Sequence, residues 1–309
     1  MSDWPPPSPN LLDPLRALAS NAARKAADVR DAVLATMRDP DLQRRLELLS
    51  HQSLNDFGFD PFGYSPAYVR ELLPYMAVLY RNYFRARVHG IDHVPPQGRV
   101  MLVANHSGQL PFDGAMIGLS LLLDREPPRM TRAMVEKWVP TIPFASVFMA
   151  RCGQVVGTPD NCRALLRQEE AILVFPEGAA GISKTFDHRY QLQSFGMGFM
   201  RLALETRTPI VPVAVIGAEE QAPSLYNWQA MARLLGTPAV PITPTFPWLG
   251  PLGLLPLPVR YHLHFGEPLS FQGDHDDDDL AIGKHVKVVK TALRGLIERG
   301  LSQRTGIFV

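Results

Sequence analysis

The sequence predicts an α/β fold in which a mostly parallel central sheet is flanked by helices and preceded by an N-terminal helical region. From residue 85 onward, short apolar runs alternate with helical stretches, which is the order expected of a parallel sheet covered on both faces. Over residues 10–84, apolar residues instead recur at three- and four-residue intervals. With 309 residues, of which 46% are hydrophobic, the chain can bury a large core. We therefore divide it into a helical region at 1–84 and an α/β domain at 85–309.

Three helices are predicted in the N-terminal region. The first is basic and amphipathic over residues 14–38, which leaves two roles open, adsorption to a membrane surface or packing on its own domain. The second begins at Asp39-Pro40, an N-cap residue followed by proline at the first helical position. The third follows a joint at 57–66, spans Tyr68–Phe84 and is disturbed locally by Pro74. The apolar positions of the first two helices are Leu15, Leu18, Ala22, Val29, Val33 and Met37, then Leu42, Leu46 and Leu49.

The α/β domain is assigned strands and helices by the same kind of pattern. Short β-branched runs indicate strands, and Thr158-Pro159 is a typical helix start. The predicted strands are Arg85–His89, Val100–Ala104, Met130–Met134, Ala171–Phe175, Ile210–Val215 and Val259–Phe265. The predicted helices are Gly114–Leu123, Trp138–Met149, Thr158–Glu169, Gly196–Glu205 and Leu280–Gly300.

Composition excludes several classes of protein. The 31 Lys and Arg residues nearly balance the 30 Asp and Glu residues, so broad electrostatic binding of nucleic acid is not expected. Cys152 and Cys162 are ten residues apart, a spacing that matches neither a zinc-ligand pair nor a redox dithiol. The opening MSDWPPPSPN lacks the basic and apolar regions of a secretory signal. We therefore expect a cytoplasmic protein with ordinary thiols and no nucleic-acid partner.

No metal site is expected from the sequence. His262 and His264 alternate with Tyr261 and Leu263 on a predicted strand and so share one face, but no other well-spaced ligands accompany them. The acidic run GDHDDDD at 273–279 lacks the spaced ligands and closing glutamate of a calcium loop. Its position before the last helix favours a solvated run that stabilises the helix dipole.

The segment VMLVANHSGQLPFDGAMIGL contains the first candidate site. A strand ends at Asn105-His106, Gly108 allows the chain to turn, and Asp113 stands where the next helix begins. Open α/β sheets assemble their sites at the carboxyl ends of strands, so an imidazole and a carboxylate are expected there. Histidine can remove a proton from a substrate hydroxyl while aspartate fixes its tautomer, and such a pair needs no nucleophile of its own. The alternative is a structural histidine in a loop.

The segment AILVFPEGAAGISK contains the second candidate site. The strand Ala171–Phe175 runs directly into Pro176-Glu177-Gly178, and a loop of small residues leads to Lys184. Backbone N–H groups and a lysine could cradle an anion, and Glu177 could accept hydrogen bonds from a hydroxylated substrate. The alternative is a turn closed by proline and glycine, with a solvated glutamate.

Together, and about 70 residues apart, the two segments resemble the glycerolipid acyltransferase family, which includes lysophosphatidic acid acyltransferases. That family is marked by an N-H-x4-D motif, a glycine followed by a hydrophobic strand, an F-P-E-G block and a V-P-V strand. The resemblance covers about 88–216 and extends to Glu267-Pro268 in HFGEPLS. The matching residues are Asn105-His106 with Asp113, Gly153–Val156, Phe175–Gly178 and Ile210–Val213.

The chain departs from the family pattern in two places. Six residues instead of four separate His106 from Asp113, with the insertion around Gln109-Leu110-Pro111. Relatives that act on lysophosphatidic acid tend to carry arginines after the second and third blocks, where this chain has Gly157-Thr158-Pro159 and Ala179-Ala180. Fewer fixed guanidinium groups weaken phosphate recognition. The pattern therefore looks more like a bacterial lysophospholipid acyltransferase-like branch.

The resemblance implies acyl transfer from acyl-coenzyme A or acyl carrier protein to a hydroxyl of a lysophospholipid or glycerolipid, without an acyl-enzyme or a further cofactor. His106 is implied as general base and Asp113 as the residue that orients it. The implied substrate-binding residues are Phe175, Pro176, Glu177 and Gly178, with Lys184 and Arg189 toward a phosphate. Two alternatives stay open: a neutral alcohol acceptor such as diacylglycerol or a long-chain alcohol, and a lipid-binding protein without activity.

A route to the membrane is expected in the apolar, proline-rich loop 234–259. It contains no charged residue, but its seven prolines prevent a continuous spanning helix. Phe246, Trp248, Leu249, Leu252, Leu254 and Leu255 could enter the membrane interface or cover an acyl tunnel. A loop packed on the protein itself is the alternative. We expect peripheral or monotopic attachment to the inner face of a membrane.

Overall fold

The computed structural model describes residues 13–48, 54–107 and 111–308. Within these ranges the N-terminal region forms helices α1 (Asp13–Met37), α2 (Pro40–Leu48) and α3 (Pro66–Val78), and α3 continues as a π-helical turn over Leu79–Tyr83. The predicted positions Leu49, Gly108, Gln109 and Leu110, and the opening segment 1–12, lie outside the described residues.

Helix α3 begins earlier than its apolar period predicts. Ser65 caps it, since the Ser65 Oγ accepts a hydrogen bond from the Tyr68 N–H at 3.3 Å, and Pro66 occupies the first helical position. Pro74 lies inside the helix without ending it. Helices α2 and α3 bury apolar side chains in the same cluster as the central sheet, and α1 packs against α3. The helical region thus packs on the α/β domain.

A seven-stranded sheet forms the centre of the molecule, and its strand order is β1-β9-β6-β2-β5-β3-β4. All neighbouring strands run parallel except β6 and β9, which are antiparallel. The predicted mostly parallel sheet is therefore confirmed. The strands are β1 (Arg87–His89), β2 (Val100–Ala104), β3 (Thr131–Val135), β4 (Val155–Val156), β5 (Ala171–Val174), β6 (Ile210–Ile216), β7 (Tyr226–Asn227), β8 (Pro241–Ile242) and β9 (His262–Phe265), of which β7 and β8 pair separately.

Helices cover both faces of the sheet. Every residue of β2 and β6 is buried, because these central strands contact helices on each side. Leu102 of β2 packs in the cluster that contains α3 and α4, whereas Met101 packs in the cluster that contains α6, α8 and α10. The helices after the N-terminal region are α4 (Phe112–Leu123), α5 (Ala145–Arg151), α6 (Pro159–Arg167), α7 (Ala179–Ile182), α8 (Gly198–Thr206), α9 (Gln229–Leu235) and α10 (Asp279–Gln303).

One predicted helix is wrong. Instead of a single helix over Trp138–Met149, the chain forms a 3₁₀ turn at Val139–Thr141 and then the separate helix α5. Pro140 and Pro143 lack the N–H groups that a continuous helix needs. Between the two elements Phe144 takes a positive φ of 65°, which lies outside the range of a right-handed helix.

The proline-rich loop 234–259 is hydrogen-bonded along its own backbone and exposes large apolar side chains, and its contact with a membrane stays a prediction. Its backbone is anchored: the Thr243 N–H donates to the Phe246 carbonyl at 2.9 Å, and the Thr245 hydroxyl donates to the Gly253 carbonyl at 2.8 Å. Its largest side chains nevertheless point outward, with Trp248 76% and Leu252 69% exposed. Among the described residues, no helix has the length and apolarity to cross a bilayer.

Candidate active site

The candidate site lies where β2, β5 and β6 end. Asn105, directly after β2, joins it to β6 by two hydrogen bonds, since its Nδ2 donates to the Val215 carbonyl at 3.0 Å and its Oδ1 accepts from the Val215 N–H at 2.8 Å. This buried amide fixes the point at which the chain leaves the sheet. His106 is therefore held at the carboxyl edge of the strands, as the sequence predicts.

His106 and Asp113 are in direct contact. The His106 Nδ1 lies 2.6 Å from the Asp113 Oδ2, and the Asp113 side chain is fully buried. The N–H groups of Ser107 and Gly114 also donate to the Asp113 carboxylate, at 3.0 and 2.7 Å. Asp113 stands in the first turn of α4, where the helix dipole stabilises negative charge. The longer spacing in the sequence thus still brings the two side chains together.

Two neighbours fix the plane of the His106 ring. Phe175 stacks on it, with ring centroids 4.1 Å apart and an interplanar angle of 21°. On another side, α7 approaches so closely that a Cβ added at Gly181 would lie 2.7 Å from the His106 Cβ. The His106 side chain keeps 15% exposure, and its Nε2 has no hydrogen-bond partner within the described ranges. That nitrogen is therefore available to a bound ligand.

Glu177 holds the backbone of the site. Its Oε1 accepts from the His106 N–H at 3.0 Å and its Oε2 accepts from the Gln193 N–H at 2.7 Å, with the side chain fully buried. These bonds tie the loop after β5 to the loop after β2. That Glu177 accepts a hydrogen bond from a substrate hydroxyl stays a prediction, and both of its oxygens already accept from backbone N–H groups.

Lys184 is enclosed by carboxylates. Its Nζ lies 2.8 Å from the Glu219 Oε1 and 3.6 Å from the Glu177 Oε2, and its side chain is almost fully buried. Burial raises the pKa of Glu219, and Lys184 counteracts that rise. The small residues predicted to cradle an anion form the short helix α7. Lys184 therefore neutralises buried acids, and its contact with a phosphate stays a prediction.

Removing the Lys184 charge is expected to destabilise the fold. Lys184→Met leaves Glu177 and Glu219 without their buried counter-charge, and breaking a buried ion pair costs about 3–5 kcal/mol. Urea unfolding followed by circular dichroism measures this loss. Lys137→Met, at an exposed lysine, is the matched control and should leave the unfolding midpoint unchanged. Equal midpoints for the two variants would contradict this role of Lys184.

The remaining predicted site residues have different surroundings. The Pro176 carbonyl accepts from the Gly196 N–H at 3.0 Å, and the Gly178 N–H closes a turn onto the Phe175 carbonyl at 3.0 Å. Gly178 has a φ of 53°, which glycine adopts without strain. Arg189 is exposed, with its guanidinium 4.6 Å from the centre of the Phe186 ring. The structure therefore brings Pro176 and Gly178 to the edge of the site and records no contact between Arg189 and the His106–Asp113 pair.

Sequence reasoning missed a buried network next to Lys184. The Tyr190 hydroxyl donates to the Glu220 carboxylate and accepts from the Gly217 N–H at 3.0 Å, and Arg304 Nη1 lies 2.7 Å from the Glu220 Oε1. Burial, together with Glu220, raises the pKa of Tyr190 well above its usual range. The sequence feature that could have indicated this network is the pair Glu219-Glu220, which stands just after the apolar strand β6.

This chain is similar in sequence to one family model and to several known proteins. The family model described as Acyltransferase matches residues 85–216. An uncharacterized protein of Mycobacterium tuberculosis is 36% identical over 268 residues, which cover 85% of this chain and 74% of the relative. A chicken protein named DGAT1/2-independent enzyme synthesizing storage lipids is 22% identical, with 69% of this chain and 63% of the relative covered. The crystal structure of the lysophosphatidic acid acyltransferase PlsC from Thermotoga maritima is 18% identical, with a TM-score of 0.43 over 75% of this chain and 82% of that chain.

Proposed function

Because this chain belongs to the glycerolipid acyltransferase family and is an acyltransferase, we propose that it moves a fatty acyl group from an acyl thioester to a hydroxyl of a lysophospholipid or related glycerolipid. The observation that carries the proposal is the 2.6 Å contact between the His106 Nδ1 and the buried Asp113 carboxylate. It leaves the other ring nitrogen of His106, Nε2, to act on the acceptor hydroxyl in the proposed reaction.

The reaction needs one proton acceptor that later becomes a donor. The acceptor hydroxyl gives its proton to the His106 Nε2 as its oxygen attacks the thioester carbonyl, and Asp113 stabilises the resulting imidazolium. When the tetrahedral intermediate collapses, the C–S bond breaks and the imidazolium protonates the leaving thiolate. The products are an ester and a free thiol, and no acyl group becomes attached to the protein.

The proposed donors are acyl-coenzyme A and acyl carrier protein, used as co-substrates, with no further cofactor. Both present the same thioester to the His106–Asp113 pair, the dyad. They differ only in the group that carries the sulfur. Purified protein supplied with each donor in turn, with the free thiol as readout, identifies the carrier.

A neutral acceptor is the second candidate, favoured by the surroundings of the F-P-E-G block. Ala179 and Ala180 follow it where phosphate-binding relatives tend to have arginine. Lys184, the nearby basic residue, is already paired with Glu177 and Glu219. The name of the chicken relative, which refers to storage lipids, supports the same acceptor class. Diacylglycerol and long-chain alcohols are therefore the alternative acceptors.

The two candidates are separated by an acceptor panel. Palmitoyl-coenzyme A is offered in mixed micelles with lysophosphatidic acid, other lysophospholipids, diacylglycerol and a long-chain alcohol, and the ester product is identified by mass spectrometry. A phospholipid product supports the main proposal, and a triacylglycerol or wax ester supports the neutral acceptor. Lipid binding that survives His106→Ala, with no product from any acceptor or donor, would indicate a lipid-binding protein.

We also propose that the exposed side chains of loop 234–259 dock the enzyme on a membrane, at the inner face where acyl thioesters are available. Trp248, Leu249, Leu252 and Leu255 all expose more than half of their surface on a segment without charge. Exposed apolar groups of this size gain free energy in the interfacial region of a bilayer. An anchored backbone holds these side chains outward together.

Loss of these side chains is expected to weaken membrane binding. Burying one large apolar side chain contributes about 1.5–3 kcal/mol, so Trp248→Ser with Leu252→Ser should lower vesicle partitioning by at least about tenfold. Co-sedimentation with phosphatidylcholine and phosphatidylglycerol vesicles measures the change. Leu280→Ser is the control, because Leu280 is 73% exposed at the start of α10. The docking surface is wrong if the double variant and the control bind equally.

A further inference from the structure

A cluster of three histidines lies at one edge of the sheet. His89 of β1 is the register partner of His264 on β9, and His262 lies two residues before His264 on the same face. The sequence predicted the shared face of His262 and His264 but could not supply His89, since strand pairing joins positions far apart in the chain. Neither the dyad nor the buried network around Lys184 includes any of the three.

The ring nitrogens of the three-histidine cluster lie close together. One nitrogen from each ring lies within 4.8 Å of the others. Zinc–nitrogen bonds of about 2.0–2.1 Å in a tetrahedral site put the nitrogens about 3.3 Å apart. The exposed His89 ring stacks on that of His264, with centroids 4.4 Å and planes 12° apart. An ion lies in the plane of each imidazole that binds it, so binding requires the His89 side chain to rotate until its nitrogen faces the same ion.

Two nitrogens of the cluster lack a partner. The Nε2 atoms of His262 and His264 are buried and make no hydrogen bond within the described part of the chain. His264 as a whole is only 6% exposed. A buried polar atom without a partner is costly, and such atoms in folded proteins usually have a protein, water or ion partner. The two orphaned nitrogens therefore point to a ligand.

Helix α10 packs closely against the cluster at Gly300. A Cβ added there would lie 2.7 Å from the His264 Nε2 and closer still to the Ile216 Cδ1, so only glycine fits at this contact. His89 bounds the other side and remains open to solvent. An ion would therefore approach the cluster from the side of His89.

We propose that His89, His262 and His264 bind one divalent transition-metal ion of the zinc type, with solvent completing its coordination. Imidazole nitrogen is a preferred ligand of zinc, nickel and copper, whereas magnesium and calcium prefer oxygen. The ion would join the three-residue edge strand β1 to β9 and so fasten the edge of the sheet.

The charges around the cluster restrict the choice of ion. Arg87, Arg260 and Arg304 lie near His262, and Arg299 lies near His264. Arg304 is neutralised by Glu220, but the others oppose a cation bound by charge alone. A transition metal bonded to neutral imidazoles fits this environment.

Zinc titration of the full chain without an affinity tag tests the proposal. After EDTA treatment and its removal, calorimetry with Zn²⁺ and the visible absorption of Co²⁺ should both show one equivalent bound. Groups outside the first coordination shell are worth about 10–100-fold in metal affinity, so His89→Ala should weaken binding by at least about tenfold. Because His89 is exposed, this variant should fold; His262→Ala should show the same loss.

A second cluster of possible metal ligands, at the surface, provides the control for the zinc titration. Asp274, His275 and Asp276 also place ligand atoms together on the surface, so His275→Ala should leave the affinity unchanged. Zinc should raise the melting temperature of the wild type and of His275→Ala but not of His89→Ala. Binding that is lost in His275→Ala and kept in His89→Ala overturns the proposal. So does the absence of metal binding, including the case in which inorganic phosphate binds instead and zinc does not.

Discussion

His106→Ala is expected to lower kcat by about 10³–10⁴-fold, since one imidazole both removes the hydroxyl proton and protonates the leaving thiolate, and general acid–base groups typically contribute about 10²–10⁴-fold. KM for the thioester should change little, because no part of the imidazole is assigned to donor binding. Initial rates of thiol release under saturating donor and acceptor measure the effect.

The control for this variant is an exposed histidine. His188→Ala removes an imidazole that contacts Thr185 and Asp187 at the surface, and it should keep full activity. Both variants should unfold at nearly the temperature of the wild type. If His106→Ala retains activity within a few-fold of His188→Ala, the general-base role is wrong.

Asp113→Asn is expected to lower kcat by about 10²–10⁴-fold, by analogy with the loss seen when the aspartate of a serine-protease triad is replaced. The amide has nearly the same shape but no charge to stabilise the imidazolium. Ser107 and Gly114 N–H groups bind opposite oxygens of the carboxylate, so an amide leaves one of these donors facing an NH₂ group. That mismatch should also cost about 1–3 kcal/mol of stability.

Lost chemistry and lost folding are distinguished by measuring both in the same variant. Asp92→Asn, at an exposed aspartate, is the matched control and should affect neither rate nor unfolding. Measurements below the unfolding transition, with the folded fraction taken from circular dichroism, isolate the chemical effect. A normal rate per folded molecule of Asp113→Asn would contradict the role of Asp113 in catalysis.

The central sheet could be predicted because its strands are buried on both faces. β2, β5 and β6 read as continuous apolar runs, and short β-branched runs of this kind are typical of strands covered by helices on each side. The position of the His106–Asp113 pair could then be predicted from the strand ends, since Asn105-His106 follows β2 directly. The short pair β7 and β8 could not be found, because two-residue strands have no periodicity.

The structural features that the sequence does not predict are mostly contacts between residues far apart in the chain. The Asn105–Val215 amide bonds, the Lys184–Glu219 pair and the pairing of His89 with His264 each depend on strand order. The sequence indicates that Lys184 and Glu177 belong to a polar site. It does not indicate that Lys184 neutralises a buried glutamate or that Glu177 accepts hydrogen bonds from two backbone N–H groups. The buried carboxylate partner of Lys184 lies 35 residues further along the chain, so the sequence alone does not reveal the pair.

Direct acyl transfer by the His106–Asp113 pair is best tested by measuring acceptor-dependent thiol release for the wild type and His106→Ala side by side. We predict thiol release only when donor and acceptor are both present, loss of that release in the variant, and no labelled acyl group retained on the protein after quenching. A burst of thiol without acceptor, accompanied by covalent acyl label on the chain, would contradict direct transfer.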